Sequence, residues 1–326
     1  MKAPALVDRV RSTPPRELAE IAVHKVPPLR ATYKAYHRFR YWDPVWYHVL
    51  NRAGKTHYLQ RQISLRPVQQ QALDALRAEG IFQLSVDELF DDPGLLERLQ
   101  AEASAALASP EIAAQVAEGE SRDREKSFLV RVLGERPVVD LGSELVRLAL
   151  RDEVLDIAAC YLGLSPRLKA FDLWYNLPVD PSSPAVLSQR WHRDYDDHRL
   201  VKMFVCLVDV DESMGPFTYA RGTHSRGEYA DVLPTSPPRG SNPPDGAVEA
   251  VIPPSQVKMC TGKAGTLVLC DTHGLHQGGR SVSDPRLLYM ANYASDAANA
   301  PYLIDVPPNL PADGLSPAAR FALRLD

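Results

Sequence analysis

The second half of the chain is a series of short apolar segments, and this pattern limits the possible folds more than any other feature. The clearest segments are RLKAFDLWYNL, LVKMFVCLVDV, PFTYARG, GTLVLCD and RLLYMANYA, separated by clusters of Gly, Pro, Asp and Ser. Short runs rich in Val, Leu, Tyr and Phe between turn-forming residues are typical of β-strands. No segment with helical periodicity alternates with them, which disfavours a parallel Rossmann sheet and favours an antiparallel barrel or jelly roll.

The preceding part of the chain, residues 67 to about 165, has mainly helical patterns. RPVQQQALDALRAEG ends on Gly80, a typical helix stop, and DDPGLLERLQAEASAAL has Pro93 near its start and apolar residues at helical spacing. IFQLSV and KSFLVRVL are short strand candidates. We therefore expect one α+β domain, residues 67–326, with a helical part at 67–165 and a barrel at 166–300.

Residues 1–66 are predicted to form a basic and aromatic N-terminal extension. Between His24 and Gln62, Asp43 is the single acid among many Lys, Arg, Tyr and Trp residues. Such a segment can present a positive face to an anionic substrate or partner. The favoured interpretation is a helical extension whose aromatic side chains pack on the main domain while Lys and Arg face water.

The overall composition indicates a small molecule as the partner. With 326 residues, of which 45% are hydrophobic, the chain can bury a full core. A formal net charge of −4 argues against a general nucleic-acid binder, which usually has a strongly basic balance. The sequence also contains neither a P-loop motif nor a G-x-G-x-x-G after a strand, which excludes the usual nucleotide-binding motifs.

The lack of a recognisable signal region and the pattern of the cysteines predict a cytoplasmic protein. The N-terminus has no apolar signal region, and no apolar run reaches membrane-spanning length, so no membrane partner is expected. The four cysteines are widely spaced and mostly lie in apolar runs, which predicts buried thiols in a reducing compartment. The oligomeric state stays open, as does the role of the Pro-rich loop 234–254, which is either a flap over a site or an inert excursion.

The stretch RWHRDYDDH, residues 190–198, concentrates ionisable side chains directly before a strand. In an extended segment alternate side chains point to the same face, so His192 and Asp194 project together while Arg193 points away. An imidazole and a carboxylate on one face are two adjacent ligands for a divalent metal. Taken alone the pair is a weak signal, because a surface His beside an Asp is common.

Further ligands are available downstream, in CDTHGLHQGGRSVSDPR. His273 and His276 stand there at the end of a predicted strand. Two histidines and one carboxylate leave three octahedral positions open, the arrangement associated with non-haem Fe(II) oxygenases. Arg286, ten residues beyond His276 and on the next strand, is placed to pair with the far carboxylate of a dicarboxylate whose other end chelates the metal.

Two segments, SQRWHRDYDDHRLVKMFVCLVDVDESMGPFTYARGTHSRGEY and GKAGTLVLCDTHGLHQGGRSVSDPRLLYMANY, resemble the phytanoyl-CoA dioxygenase-like Fe(II)/2-oxoglutarate-dependent oxygenases. The resemblance covers roughly residues 70–300. It implies a double-stranded β-helix, that is, a jelly-roll or cupin-like barrel, with flanking helices. It also implies that His192, Asp194 and His276 bind iron and that Arg286 binds the distal carboxylate of 2-oxoglutarate.

The resemblance suggests additional roles with weaker support. Its spacing makes His273 a turn residue rather than a ligand. Asn176, Gln189 and Lys126 become candidates for contacts to the metal-proximal end of 2-oxoglutarate, although each is equally well explained as a structural polar residue. Two positions depart from the family pattern: Cys270 replaces a usual aromatic residue and Arg280 a usual asparagine.

The sequence leaves open the roles of the polar residues that follow His192 and Asp194. Asp196, Asp197 and His198 either line the mouth of the site or are solvated loop residues. Lys202 is expected to pair with an acid at the barrel rim.

The implied activity is that of a non-haem dioxygenase with Fe(II), 2-oxoglutarate and O2. Such an enzyme hydroxylates a C–H bond of a small substrate and releases succinate and CO2, although desaturation and ring formation use the same ligands. The basic N-terminal segment hints at an anionic substrate. The alternatives are a zinc-dependent hydrolase and a catalytically silent ligand-binding barrel, and Arg286 discriminates because a hydrolase has no use for such a clamp.

Overall fold

The computed structural model of the chain describes residues 26–119, 128–235 and 242–325. Within these ranges the α+β class expected from the sequence is confirmed. The helices are α1 Pro27–Arg40, α2 Asp43–Val45, a π-helical turn Trp46–Leu50, α3 Arg52–Gln60, α4 Pro67–Ala78, α5 Val86–Leu89, α6 Leu95–Leu107, α7 Pro110–Gly119, α8 Glu144–Ala149, α9 Asp152–Leu162 and α10 Pro317–Ala322. The strands are β1 Ile81–Ser85, β2 Leu129–Arg131, β3 Arg167–Asn176, β4 Val201–Cys206, β5 Phe217–Ala220, β6 Val257–Met259, β7 Thr266–Cys270, β8 His276–Gly278 and β9 Arg286–Ala294.

The strands form two antiparallel sheets. The larger has the order β1-β7-β4-β9-β3-β2 and the smaller the order β6-β5-β8. An apolar cluster that includes Phe204 and Met290 of the large sheet and Phe217 of the small sheet fills the space between them. The two sheets thus face each other across a shared core, as the expected jelly roll requires.

The large sheet is buried on both faces, and alternation along its strands decides which side chains reach the inter-sheet space. On β4, Met203 and Val205 face the core beneath the helices, whereas Phe204 and Cys206 face the small sheet. Successive side chains on a strand point to opposite faces. Lys202 therefore also points between the sheets. The same alternation places Asn176 on β3 and Arg286 on β9 there.

The segment between α2 and the end of α3 is integrated into the core. Trp46 is completely buried, and its indole N–H donates to Asp197 Oδ1 at 3.1 Å. The Tyr47 hydroxyl donates to the carbonyl of Leu162 at 2.7 Å. By contrast, Trp42 is 59% exposed. The expectation that aromatic residues of the extension pack on the main domain is thus met by Trp46 and Tyr47 but not by every aromatic residue. The boundary at residue 66 stays a prediction.

Other expectations from the sequence have mixed outcomes. All four cysteines are unpaired, three are buried, and Cys160 is half-buried. The three-residue strands β6 and β8 were not anticipated. Lys126 and the middle of the Pro-rich loop lie outside the described residues. Among the helices that are described, none has the length and apolar character needed to cross a membrane.

Replacement of Trp46 by Ala tests whether this segment belongs to the folding unit. We expect the free energy of unfolding to fall by about 3–5 kcal/mol, because the change leaves a large cavity and removes a hydrogen bond to Asp197. The exposed Trp42→Ala variant is the matched control and should change it by less than about 0.5 kcal/mol. Urea denaturation of both variants measures the difference. Equal stabilities would show that the segment folds independently of the barrel.

Candidate metal centre

One pair of backbone hydrogen bonds brings two distant histidines together. His192 and His276 form an antiparallel bridge in which each N–H donates to the other's carbonyl at 2.9 Å. Directly opposed residues of an antiparallel pair direct their side chains to the same face. Their imidazole rings accordingly lie 4.1 Å apart, centroid to centroid. The segment before β4 thus extends the small sheet beyond β8 and sets two imidazoles side by side.

Asp194 completes a three-residue cluster. Its backbone N–H donates to the carbonyl of Thr272 at 2.9 Å, which keeps this residue beside the turn that leads to β8. Asp194 Oδ1 lies 3.8 Å from His192 Nε2, and its Oδ2 lies 3.7 Å from His276 Nε2. One nitrogen or oxygen of each residue falls within 4.8 Å of the others. Three ligands at such spacing fit a single metal ion.

Both histidines present the correct nitrogen to a metal. His192 Nδ1 lies 2.9 Å from the carbonyl of Arg190, and His276 Nδ1 lies 2.9 Å from that of Gly274. A carbonyl only accepts, so each Nδ1 carries a proton, and Nε2 is the nitrogen through which each ring in its neutral form can bind a metal. Burial and the neighbouring His192 lower the pKa of His276 to about 3, so that this ring is neutral at physiological pH. Neutral, oriented imidazoles are the form that binds metal.

The Asp194 carboxylate is ionised. Burial alone would raise its pKa, but the Lys202 ammonium holds it well below its usual range. An ionised carboxylate beside two imidazoles is a suitable donor set for a divalent cation.

The cluster lines a cavity of about 190 Å³ between the sheets. Six large apolar side chains share the lining: Phe128, Leu129, Trp174, Phe204, Phe217 and Leu288. Asn176 and Arg286 also line it and are directly paired in the β3–β9 register, so their side chains share a face. The absence of a side chain at Gly278 leaves space beside the guanidinium, since a Cβ there would lie 3.9 Å from Arg286 Nη2.

Arg286 is a buried cation without an anionic partner among the described residues. Its side chain is 5% exposed, and its Nε and Nη1 have no hydrogen-bond partner among the described residues. The Nδ2 of Asn176 is likewise buried without a partner in the described ranges. Burial lowers the pKa of Arg286 to about 10, which leaves it charged at neutral pH. Unsatisfied buried donors are costly, so this end of the cavity fits a ligand carboxylate.

The structure separates the other predicted residues from this cluster. His273 lines a different cavity, together with Tyr195 and His198. Gln189 is not among the described residues that line the cavity with His192. Its Oε1 accepts from the backbone N–H of Val186, at the 187–189 turn. Lys126 lies outside the described residues. Of the three candidates for the metal-proximal contacts, only Asn176 is thus seen in the cavity.

Arg193 points away from the cluster, as alternation predicted. It is 3% exposed, and its guanidinium donates to the carbonyls of Thr223, His273 and Val232. It therefore ties the turn before β8 to the loop after β5. Arg280 donates to the carbonyl of Ser183 and is not among the residues that line the described cavity.

Lys202 is the site residue that sequence reasoning misplaced. It was expected at the barrel rim, but its Nζ donates to Asp194 Oδ2 at 2.5 Å inside the cavity. The expectation that it pairs with an acid is correct. The available signal was its position two residues before Phe204, which places both side chains on the same face of the strand.

Comparison with known proteins yields similar folds but no family. No family model matches the chain, and no curated protein matches its sequence. EctD from S. alaskensis in its apo form superposes with a TM-score of 0.49 at 20% identity, covering 76% of this chain and 84% of that one. The epimerase SnoN in complex with Fe3+, alpha-ketoglutarate and nogalamycin RO has a TM-score of 0.46 at 19% identity, with coverage of 77% and 93%. AviO1 from Streptomyces viridochromogenes has a TM-score of 0.45 at 20% identity, with coverage of 74% and 100%.

These similarities concern the fold, and the function of this chain has to follow from its own residues. Of these three structures, that of SnoN contains Fe3+ and alpha-ketoglutarate, and these ligands are a property of SnoN.

The two downstream histidines can be distinguished by metal binding. His276→Ala removes one of three ligands and should weaken Mn(II) binding about a hundredfold or more. His273→Ala is the matched control and should stay within about threefold of the original affinity, because this ring lies in another cavity. Isothermal titration calorimetry on metal-free protein measures both, and thermal unfolding verifies that the variants fold. A comparable loss in both variants would contradict the assignment.

Proposed function

We propose that this chain is a non-haem Fe(II)/2-oxoglutarate-dependent oxygenase that hydroxylates a C–H bond of a small molecule. The observation that carries the proposal is the coexistence, in one cavity, of a His-Asp-His cluster and a buried arginine lacking an anionic partner among the described residues. His192, Asp194 and His276 would hold the iron. Arg286 would hold the distal carboxylate of 2-oxoglutarate.

The donor set fits Fe(II). Two imidazole nitrogens and one carboxylate oxygen on one side of an ion leave three octahedral positions open. A keto acid that chelates through two oxygens uses two of these positions, and O2 needs the third. A closed structural zinc site would instead surround the ion with four protein ligands.

The far end of the cavity fits a dicarboxylate. The paired positions of Asn176 and Arg286 present amide and guanidinium donors on one face, at the strand ends next to β8. Arg286 can bind a carboxylate through two parallel N–H donors, which fixes orientation as well as charge. With one end of 2-oxoglutarate on Arg286 and the other at the metal, the co-substrate would span the cavity.

The protein's share in the reaction is binding, orientation and exclusion of water. Bound Fe(II), with 2-oxoglutarate and O2, would supply an oxidant strong enough for C–H hydroxylation, with release of succinate and CO2. The backbone bridge between His192 and His276 would hold two of the ligands side by side. Phe204, Phe217 and Trp174 keep the surroundings apolar, which limits the access of bulk water.

The alternative of a zinc-dependent hydrolase leaves Arg286 without a role. Hydrolysis needs a metal-bound water and a substrate carbonyl, neither of which explains a buried guanidinium without an anionic partner in the described part of the chain. A catalytically silent barrel equally leaves the oriented Nε2 atoms unused. Neither alternative is favoured by a specific observation.

Turnover of the co-substrate tests the proposed function directly. Purified protein with Fe(II) and ascorbate should convert 2-oxoglutarate to succinate, slowly in the absence of the substrate and faster with a suitable one. Asp194→Ala should abolish this conversion because it removes the anionic ligand. Succinate is quantified by chromatography. Failure to form succinate, together with failure to bind 2-oxoglutarate with anaerobic Fe(II), would refute the proposal.

The role of Arg286 predicts a specific kinetic change. Arg286→Gln should raise the KM for 2-oxoglutarate about 10- to 100-fold, since a charge-assisted, bidentate contact is lost. Arg280→Gln is the matched control: this arginine lies six residues earlier, outside the cavity lining, and its replacement should leave that KM within about twofold. Initial rates at varied 2-oxoglutarate report both. An unchanged KM for 2-oxoglutarate in Arg286→Gln would contradict the proposed contact between Arg286 and the distal carboxylate.

A further inference from the structure

Lys202 is a cavity residue to which the proposed function gives no role. Its Nζ donates to Asp194 Oδ2 at 2.5 Å and lies 3.3 Å from Asp196 Oδ2. The Lys202 side chain is only 12% exposed, so both contacts are shielded from solvent. A single ammonium therefore holds two carboxylates, one of which is a proposed metal ligand.

The ammonium of Lys202 lies between the two carboxylates, within ion-pair distance of an oxygen of each. Removing it would leave two neighbouring carboxylates without their shared cation.

Asp196 is held at the edge of the metal cluster by several contacts besides Lys202. Its Oδ2 accepts from Asn292 Nδ2 at 3.2 Å, and its backbone carbonyl accepts from the N–H groups of Asn299 and Ala300 at 2.6 Å and 3.1 Å. Among the described residues, the group whose ligand atoms lie within 4.8 Å of one another contains Asp194 but not Asp196. A second carboxylate thus lies close to the site but outside it.

A divalent cation would attract both carboxylates. Oxygen ligands of aspartate bind divalent metals readily, and a side chain that reaches the same ammonium as Asp194 is a potential fourth protein ligand. Four protein ligands would leave two octahedral positions. The proposed chemistry needs three, two for the chelating keto acid and one for O2.

We propose that Lys202 limits the metal centre to three protein ligands. It does so by holding Asp196 away from the metal and by engaging the second oxygen of Asp194, so that this carboxylate binds through one oxygen. The inference rests on the proposed metal centre and assigns the H-x-D-x-D pattern at 192–196: the first aspartate coordinates, and the second is kept from coordinating. Lys202 is a positioning residue that acts through Asp194 and Asp196.

The test removes the cation while retaining the length of the side chain. Lys202→Met should tighten Mn(II) binding to the metal-free protein by about tenfold or more, because a nearby positive charge is lost and Asp196 is released. It should also reduce the number of exchangeable waters on the bound Mn(II), since a protein oxygen replaces water. Calorimetry measures the affinity, and water-proton relaxation measures the hydration of the metal.

The double variant Lys202→Met, Asp196→Asn is the matched control. Without the second carboxylate, the number of exchangeable waters should return to that of the original protein, although Lys202 is still missing. Lys202→Gln provides a second route if the methionine variant does not fold, because it removes the charge and keeps a polar side chain. Thermal unfolding identifies the variants that are folded.

The outcomes separate this inference from the proposed function. If the original protein binds Mn(II) with three exchangeable positions and the folded Lys202 variants bind it no more tightly and with the same hydration, the inference is wrong while the metal centre stands. If the original protein does not bind Mn(II) at all, the proposed function itself fails and the inference with it. Tighter binding and fewer waters that revert with Asp196→Asn would establish the role of Lys202.

Discussion

The cluster of His192, Asp194 and His276 depends on the reciprocal backbone hydrogen bonds between the two histidines. These bonds extend the small sheet and place two imidazoles on one face, although the residues lie far apart in the sequence. Each ring then uses its Nδ1 for a local carbonyl, which leaves Nε2 for the metal. Both the pairing and the ring orientation come from contacts with the backbone, so the fold brings the two candidate ligands together.

Charge is the second constraint on this cavity. Asp194 and Asp196 share the Lys202 ammonium, so the inner carboxylates are compensated within the protein. Arg286 is a buried cation whose Nε and Nη1 are without a partner in the described ranges. A buried charge is tolerated when it is paired, and a carboxylate ligand at this end would provide the pair. The two ends of the cavity thus differ in kind: one offers metal ligands and the other an anion site.

Much of the fold could be predicted from local patterns, because its long strands are apolar and bounded by turn residues. β3, β4, β7 and β9 all coincide with segments recognised in the sequence. β6 and β8 could not be predicted: three residues carry no periodicity, and these strands exist through pairing with β5. Asn176 and Arg286 both line the cavity, and their contacts to 2-oxoglutarate stay a prediction. Gln189 is engaged in a local turn, which spacing alone cannot reveal.

The sequence by itself determined the strand-rich α+β class, the direction of Arg193 away from the cluster and the candidates for the metal ligands, because alternation and ligand spacing are local properties of the chain. The choice of His276 over His273 came from the resemblance, and the proximity of His276 to His192 is seen in the structure. Only the tertiary structure decided that Asn176 and Arg286 share a face and that Lys202 lies inside with Asp194 and Asp196. Those relations depend on which strands pair and in which register. Register is set by the packing of two sheets on a common core, which no local segment specifies.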